Sequence, residues 1–195
     1  IGVYLTTFKQ WELQNDAQTK INFWFRNLEN LKTELEKLNI PLVVLDAETF
    51  ANSPNVLWNF IQENDVKSLY FNNEYPFYEL ERDRQIYQDF KENGIGVFNY
   101  HDQVIHQPGS LKTTTGNNFS VYSPFKKKWF AELDDKQLEL LSIPEPKTEI
   151  SIKSSDLGEY LADTEVSQAK YWESGENFIQ NHINEFLKTK GSAYK

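Results

Sequence analysis

The chain has 195 residues and a formal net charge of −9, which disfavours a broad basic face of the kind duplex nucleic acid requires. It has no Cys, so it has no disulfide framework and no thiolate metal site. Hydrophobic residues make up 39% and aromatics 15%, enough to bury a core built largely of rings, while no apolar run approaches the roughly eighteen residues of a membrane span.

Residues 1–7, IGVYLTT, read as a buried strand. Ile21, Trp24, Phe25, Leu28, Leu31, Leu35 and Leu38 then recur at helical spacing, with Asp16 or Thr19 as a cap and Asn39 as a stop. Between them, residues 8–16 (FKQWELQND) are expected to form a loop. Residues 41–47, PLVVLDA, are apolar through the middle, as a strand buried on both faces of a parallel sheet should be. Residues 49–64 predict a helix with Phe50, Val56, Leu57, Phe60 and Ile61 inward. Strands follow at 68–72 and 95–100, with a helix over 78–92 between them, ended by Asn93-Gly94. Strands and helices alternating at this spacing predict α/β architecture, a doubly wound, Rossmann-like parallel sheet with right-handed crossovers.

After Tyr100 the alternation stops. Residues 102–119 are loop-rich, with turn signals at Pro108-Gly109 and Gly116-Asn117-Asn118. A short amphipathic helix is expected over 123–133. Residues 143–153 read as an extended linker, 156–162 as a weak helical patch, and 173–190 as a final amphipathic helix stopped by Gly191.

Ligands of parallel sheets bind beyond the C-terminal ends of the strands. Two stretches lie there: residues 8–16, and the turn Asn72-Asn73-Glu74-Tyr75-Pro76-Phe77-Tyr78-Glu79. Each combines flat rings with amides and carboxylates. That chemistry suits a planar heterocycle, whose faces stack on rings and whose N–H edge is read by a carboxylate or amide. The plainer alternative is that Tyr75, Phe77 and Tyr78 are core or helix-staple residues. No GxGxxG or Walker sequence is present, so no dinucleotide or P-loop phosphate site is expected. His101, His106 and His182 have no metal-ligand spacing, and Lys126-Lys127-Lys128 reads as a solvated helix face.

Several segments together resemble the N-terminal domain of the DNA photolyase and cryptochrome family. They are INFWFRNLENLKTELEKLNIPLVVLDA (residues 21–47), LYFNNEYPFYELERD (69–83) with its Arg82-Asp83 pair, Pro108-Gly109 followed by YSPFKKKW (122–129), and Gly175-Glu176 with Ile179, Ile183 and Phe186. The similarity is greatest to bacterial cyclobutane-dimer photolyases with a folate antenna. It implies an antenna-binding α/β domain over 1–142, an interdomain linker over 143–170, and the start of a helical FAD-binding domain over 171–195. It also implies that the family's first strand and helix are absent. That strand would sit at the centre of the sheet, so the gap predicts either self-association or a strand supplied from outside these 195 residues.

By the same resemblance this is a portion of a deoxyribodipyrimidine photolyase, a carbon–carbon lyase that repairs cyclobutane pyrimidine dimers with light. The portion alone is expected to be inactive, cytoplasmic and without membrane contact, and damaged DNA would bind a C-terminal domain outside it. The antenna would be 5,10-methenyltetrahydrofolate. Glu79 matches the family's pterin-binding carboxylate, Tyr78 stands where the family has Asn, and Trp11 and Gln14 lie in the loop expected over the same cleft. Tyr194 matches the start of the FAD-contacting segment. Other readings are a cryptochrome-like photosensor without repair activity, an adenine-nucleotide-binding relative, and a stand-alone ligand-binding or interaction domain. The adenine-nucleotide reading wants a Gly-rich loop after the fourth strand, and Gly94-Ile95-Gly96 precedes that strand.

Overall fold

The computed structural model describes residues 1–134, 139, 141–161 and 172–193. The chain divides into two compact units, one of residues 1–49 and 144–195, the other of residues 50–143. Strands run parallel in two hydrogen-bonded pairs, one in each unit.

In the first unit β1 (Gly2–Thr6) pairs with β2 (Leu42–Asp46) in the register Gly2↔Leu42 to Thr6↔Asp46. The crossover contains α1 (Phe8–Leu13) and α2 (Gln18–Glu36). Of the periodic residues of α2, Ile21, Phe25 and Leu28 are buried and Trp24 and Leu35 half-buried, whereas Leu31 is exposed. Asn39 takes the left-handed conformation (φ 58°) that closes the helix, as a short amide-bearing side chain tolerates.

The segment expected as a loop is the helix α1. Its Phe8 and Trp11 sit at i,i+3 and both rings reach Phe25, with centroids 5.9 and 6.4 Å away. Packing against one buried ring is what holds six residues with so little apolar pattern in a helix. Asn15 ends it in the left-handed region, at φ 55°.

The stretch that reads as a linker lies against the strand pair. Ser155 N–H donates to the Leu42 carbonyl at 2.8 Å, and the Val44 and Leu42 N–H groups donate to the Ser155 and Ser154 hydroxyls at 2.9 and 3.2 Å. Serine hydroxyls therefore satisfy the outer edge of β2, which would otherwise present bare N–H groups. Leu157, next in line, is 1% exposed and joins the core of Trp11, Ile21, Phe25, Leu28 and Leu42. The helical patch is α6 (Gly158–Leu161), whose Tyr160 stacks on Phe25 at 4.6 Å.

The polar face of α2 holds a later segment of the same unit. Arg26 donates to the Trp172 carbonyl, Asn30 to the Ser174 hydroxyl, and Asn27 accepts from Gly175 N–H, at 2.8, 2.9 and 3.0 Å. The final amphipathic helix, α7 (Glu176–Thr189), starts there.

In the second unit, α3 (Ser53–Glu63) follows a 3-10 turn at Phe50–Asn52. Then come β3 (Ser68–Asn72), α4 (Phe77–Glu92), β4 (Gly96–Tyr100) and α5 (Tyr122–Ala131). β3 and β4 pair from Ser68↔Gly96 to Asn72↔Tyr100. Leu57, Ile61, Ile86, Phe90 and Ile95 are buried here, and Trp58 packs on Phe90 at 5.3 Å. Gly94 turns the chain from α4 into β4 at φ 84°, where a side chain would be strained although the space beside it is open. Among the described residues no helix is long and apolar enough to cross a membrane.

Candidate functional site

The turn from β3 to α4 is tied down from both sides. On one side Asp83, 5% exposed, accepts the Glu74 N–H on one carboxylate oxygen at 3.1 Å. Its other oxygen takes Arg82 Nε and Nη2 at 2.9 and 2.7 Å. Arg82 Nη2 also reaches the Glu74 carboxylate at 3.1 Å, and its guanidinium lies 5.3 Å from the centre of the Phe50 ring. Burial by itself would lower the Arg82 pKa, but the Asp83 and Glu74 carboxylates outweigh it and hold the guanidinium above its ordinary value.

On the other side the turn is held to the end of β4. Asn99 Nδ2 donates to the Asn73 side-chain oxygen Oδ1 at 2.8 Å, which leaves the Asn73 side-chain nitrogen for His101 Nε2 at 3.4 Å. His101 Nδ1 meets the Tyr75 hydroxyl at 2.9 Å, and the two rings lie nearly parallel. Asn72 donates to Asp102 at 3.2 Å. His101 thus anchors a turn. His106 bonds the Trp129 carbonyl at 3.0 Å, and His182 stacks on Phe178.

Between these ties the first turn of α4 carries Phe77, Tyr78 and Glu79. Phe77 is 70% and Tyr78 58% exposed, packed edge to face at 5.4 Å, so neither is a core residue. Glu79 is the third helical residue, where a carboxylate usually reaches back to the N-cap N–H. The N-cap here is Pro76, which has no N–H. Glu79 Oε2 is shut away from solvent and has no hydrogen-bond partner among the described residues. A buried carboxylate oxygen with no donor is unfavourable by itself, so the position favours any ligand that brings an N–H to it.

Of the other sequence-predicted residues, Trp11 and Gln14 lie in the first unit. Trp11 is 5% exposed and lies in the core of the first unit, against Phe8, Trp24 and Phe25. Gln14 is the exposed C-cap of α1. Tyr78 and Glu79 stand side by side in the second unit. Tyr194 lies outside the described residues. The sequence marks Asp83 only by its pairing with Arg82 and Pro76 only as one residue of the turn; what each does there comes from the structure.

Parallel strands joined through helices define an α/β protein of Rossmann-like type. The sequence pattern of the DNA photolyase family matches residues 1–147, and the chain belongs to that family. It is 28% identical over 196 residues to the deoxyribodipyrimidine photo-lyase of Buchnera aphidicola subsp. Baizongia pistaciae, a match that takes in 100% of this chain and 41% of the relative. Among solved structures it is similar to a bacterial class III photolyase from Agrobacterium tumefaciens, with a TM-score of 0.72 at 22% identity over 96% of this chain and 39% of the other. It is also similar to a Synechocystis cryptochrome, with a TM-score of 0.67 at 16% identity over 95% of this chain and 40% of the other. At these identities the structural likeness speaks for the fold. The chain spans about two fifths of the length of these proteins.

Proposed function

We propose that this chain is the light-collecting portion of a deoxyribodipyrimidine photolyase, with the turn Asn72–Glu79 as the seat of a pterin antenna, 5,10-methenyltetrahydrofolate. The observation that carries the reading is the buried, unpartnered Oε2 of Glu79. An amino-pterin edge offers N–H donors, and bonds from such donors to a carboxylate are charge-assisted. The exposed rings of Phe77 and Tyr78 supply flat apolar surface in the same helical turn as Glu79. The Arg82–Asp83–Glu74 and Asn73–His101–Tyr75 ties keep the turn in one conformation before a ligand arrives, which lowers the ordering cost of binding. Tyr78 presents a hydroxyl where the family pattern has an amide, so the carboxylate carries most of the recognition.

Bound there, the pterin would supply absorption of near-UV or blue light and transfer of that energy to a flavin. The FAD site and the contacts to damaged DNA belong, on this reading, to the part of the relatives' length that these residues do not span. The residues described here bind and orient, and none of them performs dimer splitting.

The test is a titration of 5,10-methenyltetrahydrofolate into the wild-type chain and into Glu79→Gln, followed by absorbance. Saturable binding is expected, weakened on the order of tenfold or more in the variant, the worth of a hydrogen bond to a charged group. Equal affinity removes Glu79 from the site, and no binding to wild type overturns the antenna assignment. Because a cryptochrome shares this fold, a second reading is a photosensor without repair activity. A repair assay on the full-length protein separates the two: dimers that persist under blue light exclude the photolyase.

A further inference from the structure

In a chain of net charge −9, residues 103–131 contain four lysines and no Asp or Glu. Part of this stretch folds around a cleft of about 440 Å³, a volume in the range of small-molecule sites. Its walls include Lys112 and Lys128, the hydroxyl residues Thr113, Thr114 and Ser120, and the ring of Phe119.

Thr113 and Thr114 of the lining belong to a hydrogen-bonded turn over residues 113–117. Thr113 N–H donates to the Asn117 carbonyl at 2.9 Å, Gly116 N–H to the Thr113 carbonyl at 2.9 Å, and Asn117 N–H to the Thr113 hydroxyl at 3.1 Å. Lys112 donates to the neutral Asn118 amide oxygen at 2.5 Å and has no carboxylate partner among the described residues. Lys128 is paired at 2.5 Å with Glu132, which lies outside the lining; the hydrogen bond from Lys128 holds the Glu132 carboxyl below its ordinary pKa. The hydroxyls of Thr114 and Ser120 make no hydrogen bond to other described residues.

We propose that this cleft binds a phosphate ester of mononucleotide size, the phosphate held by Lys112, Lys128 and the free hydroxyls, and the attached planar group lying against Phe119. The chemistry follows from the lining. Ammonium groups and hydroxyls are donors for an anion, the wall residues include no carboxylate to oppose one, and Phe119 with Val121 and Pro124 gives apolar wall for a flat substituent. Glu132 sets the strength of the site, because it shares the charge of Lys128.

The experiment measures binding of AMP, inorganic phosphate and a short duplex DNA to the chain at low and moderate salt, by calorimetry. AMP is expected to bind saturably and more tightly than inorganic phosphate. Lys112→Ala should weaken it about tenfold, as loss of one charge-assisted contact does. Glu132→Gln should tighten it severalfold by freeing Lys128. The double variant Lys126→Ala/Lys127→Ala, on the same helix but outside the cleft, should leave AMP binding unchanged. Absence of AMP binding, equal binding in Lys112→Ala, or weaker binding in Glu132→Gln overturns the proposal. Duplex DNA binding without AMP binding also overturns it, in favour of a backbone-phosphate surface. Circular dichroism of each variant confirms that the fold is intact.

Discussion

β1 and β2 are buried or half-buried at almost every position, whereas β3 and β4 leave Tyr70, Phe98 and Tyr100 exposed on one face. Both pairs are parallel, and a parallel pair is normally covered on both faces. The first unit meets that demand with rings from α1, α2 and α6 and with the segment 154–157 along its edge. In the second unit the order at the strand ends comes from side-chain hydrogen bonds and ion pairs around Asp83 and His101. One half is held by packing, and the β3–α4 turn of the other is held by polar ties. A packed core resists motion through many weak contacts, while a polar tie fixes one turn and leaves adjacent rings exposed.

The largest effect should come from breaking the packed half. Phe25→Ala removes the ring that Trp11, Phe8 and Tyr160 all contact and is expected to lower stability by about 4 kcal/mol, read from urea unfolding. A loss under about 1 kcal/mol would mean the ring cluster is not what holds the first unit. Asp83→Ala probes the tied half. It strips Arg82 of its nearest carboxylate and Glu74 N–H of its acceptor, and should cost about 3 kcal/mol. Equal stability of Asp83→Ala and wild type would show that the ties are incidental.

Ser155→Ala tests whether the docked segment belongs to the packed half. About 1 kcal/mol is expected from the bonds to Val44 and its edge, and hydrogen exchange at Val44 should rise. The smallest effect at neutral pH is that of Tyr160→Phe, which keeps the stack on Phe25. Burial, and then the Glu159 charge, raises the Tyr160 pKa. The unfolded chain then ionises first, so this contribution is complete below about pH 10 and is lost as pH rises towards the folded value. Wild type should lose stability over that alkaline interval more steeply than Tyr160→Phe; parallel curves would remove Tyr160 from the packed half.

The sequence by itself determined the α/β alternation. Apolar runs at 1–7 and 41–47 and the periodic stripe from Ile21 to Leu38 are local patterns, and local patterns survive folding unchanged. It also singled out the 72–79 turn, because two Asn, a Pro and adjacent rings are more than a strand-to-helix connection needs. Only the tertiary structure decided what lies far apart in sequence. Six residues with one i,i+3 ring pair became α1 because Phe25 stood ready to receive them. Trp11 went into a core completed by Leu157, 146 positions away, and Ser154 and Ser155, just past the proline-bearing stretch, came to cover the edge of β2. At the site, the sequence shows Pro76 and Glu79 three apart, but whether a carboxylate oxygen ends up buried and unpartnered depends on which atoms surround it. That is set by packing, which no periodicity encodes.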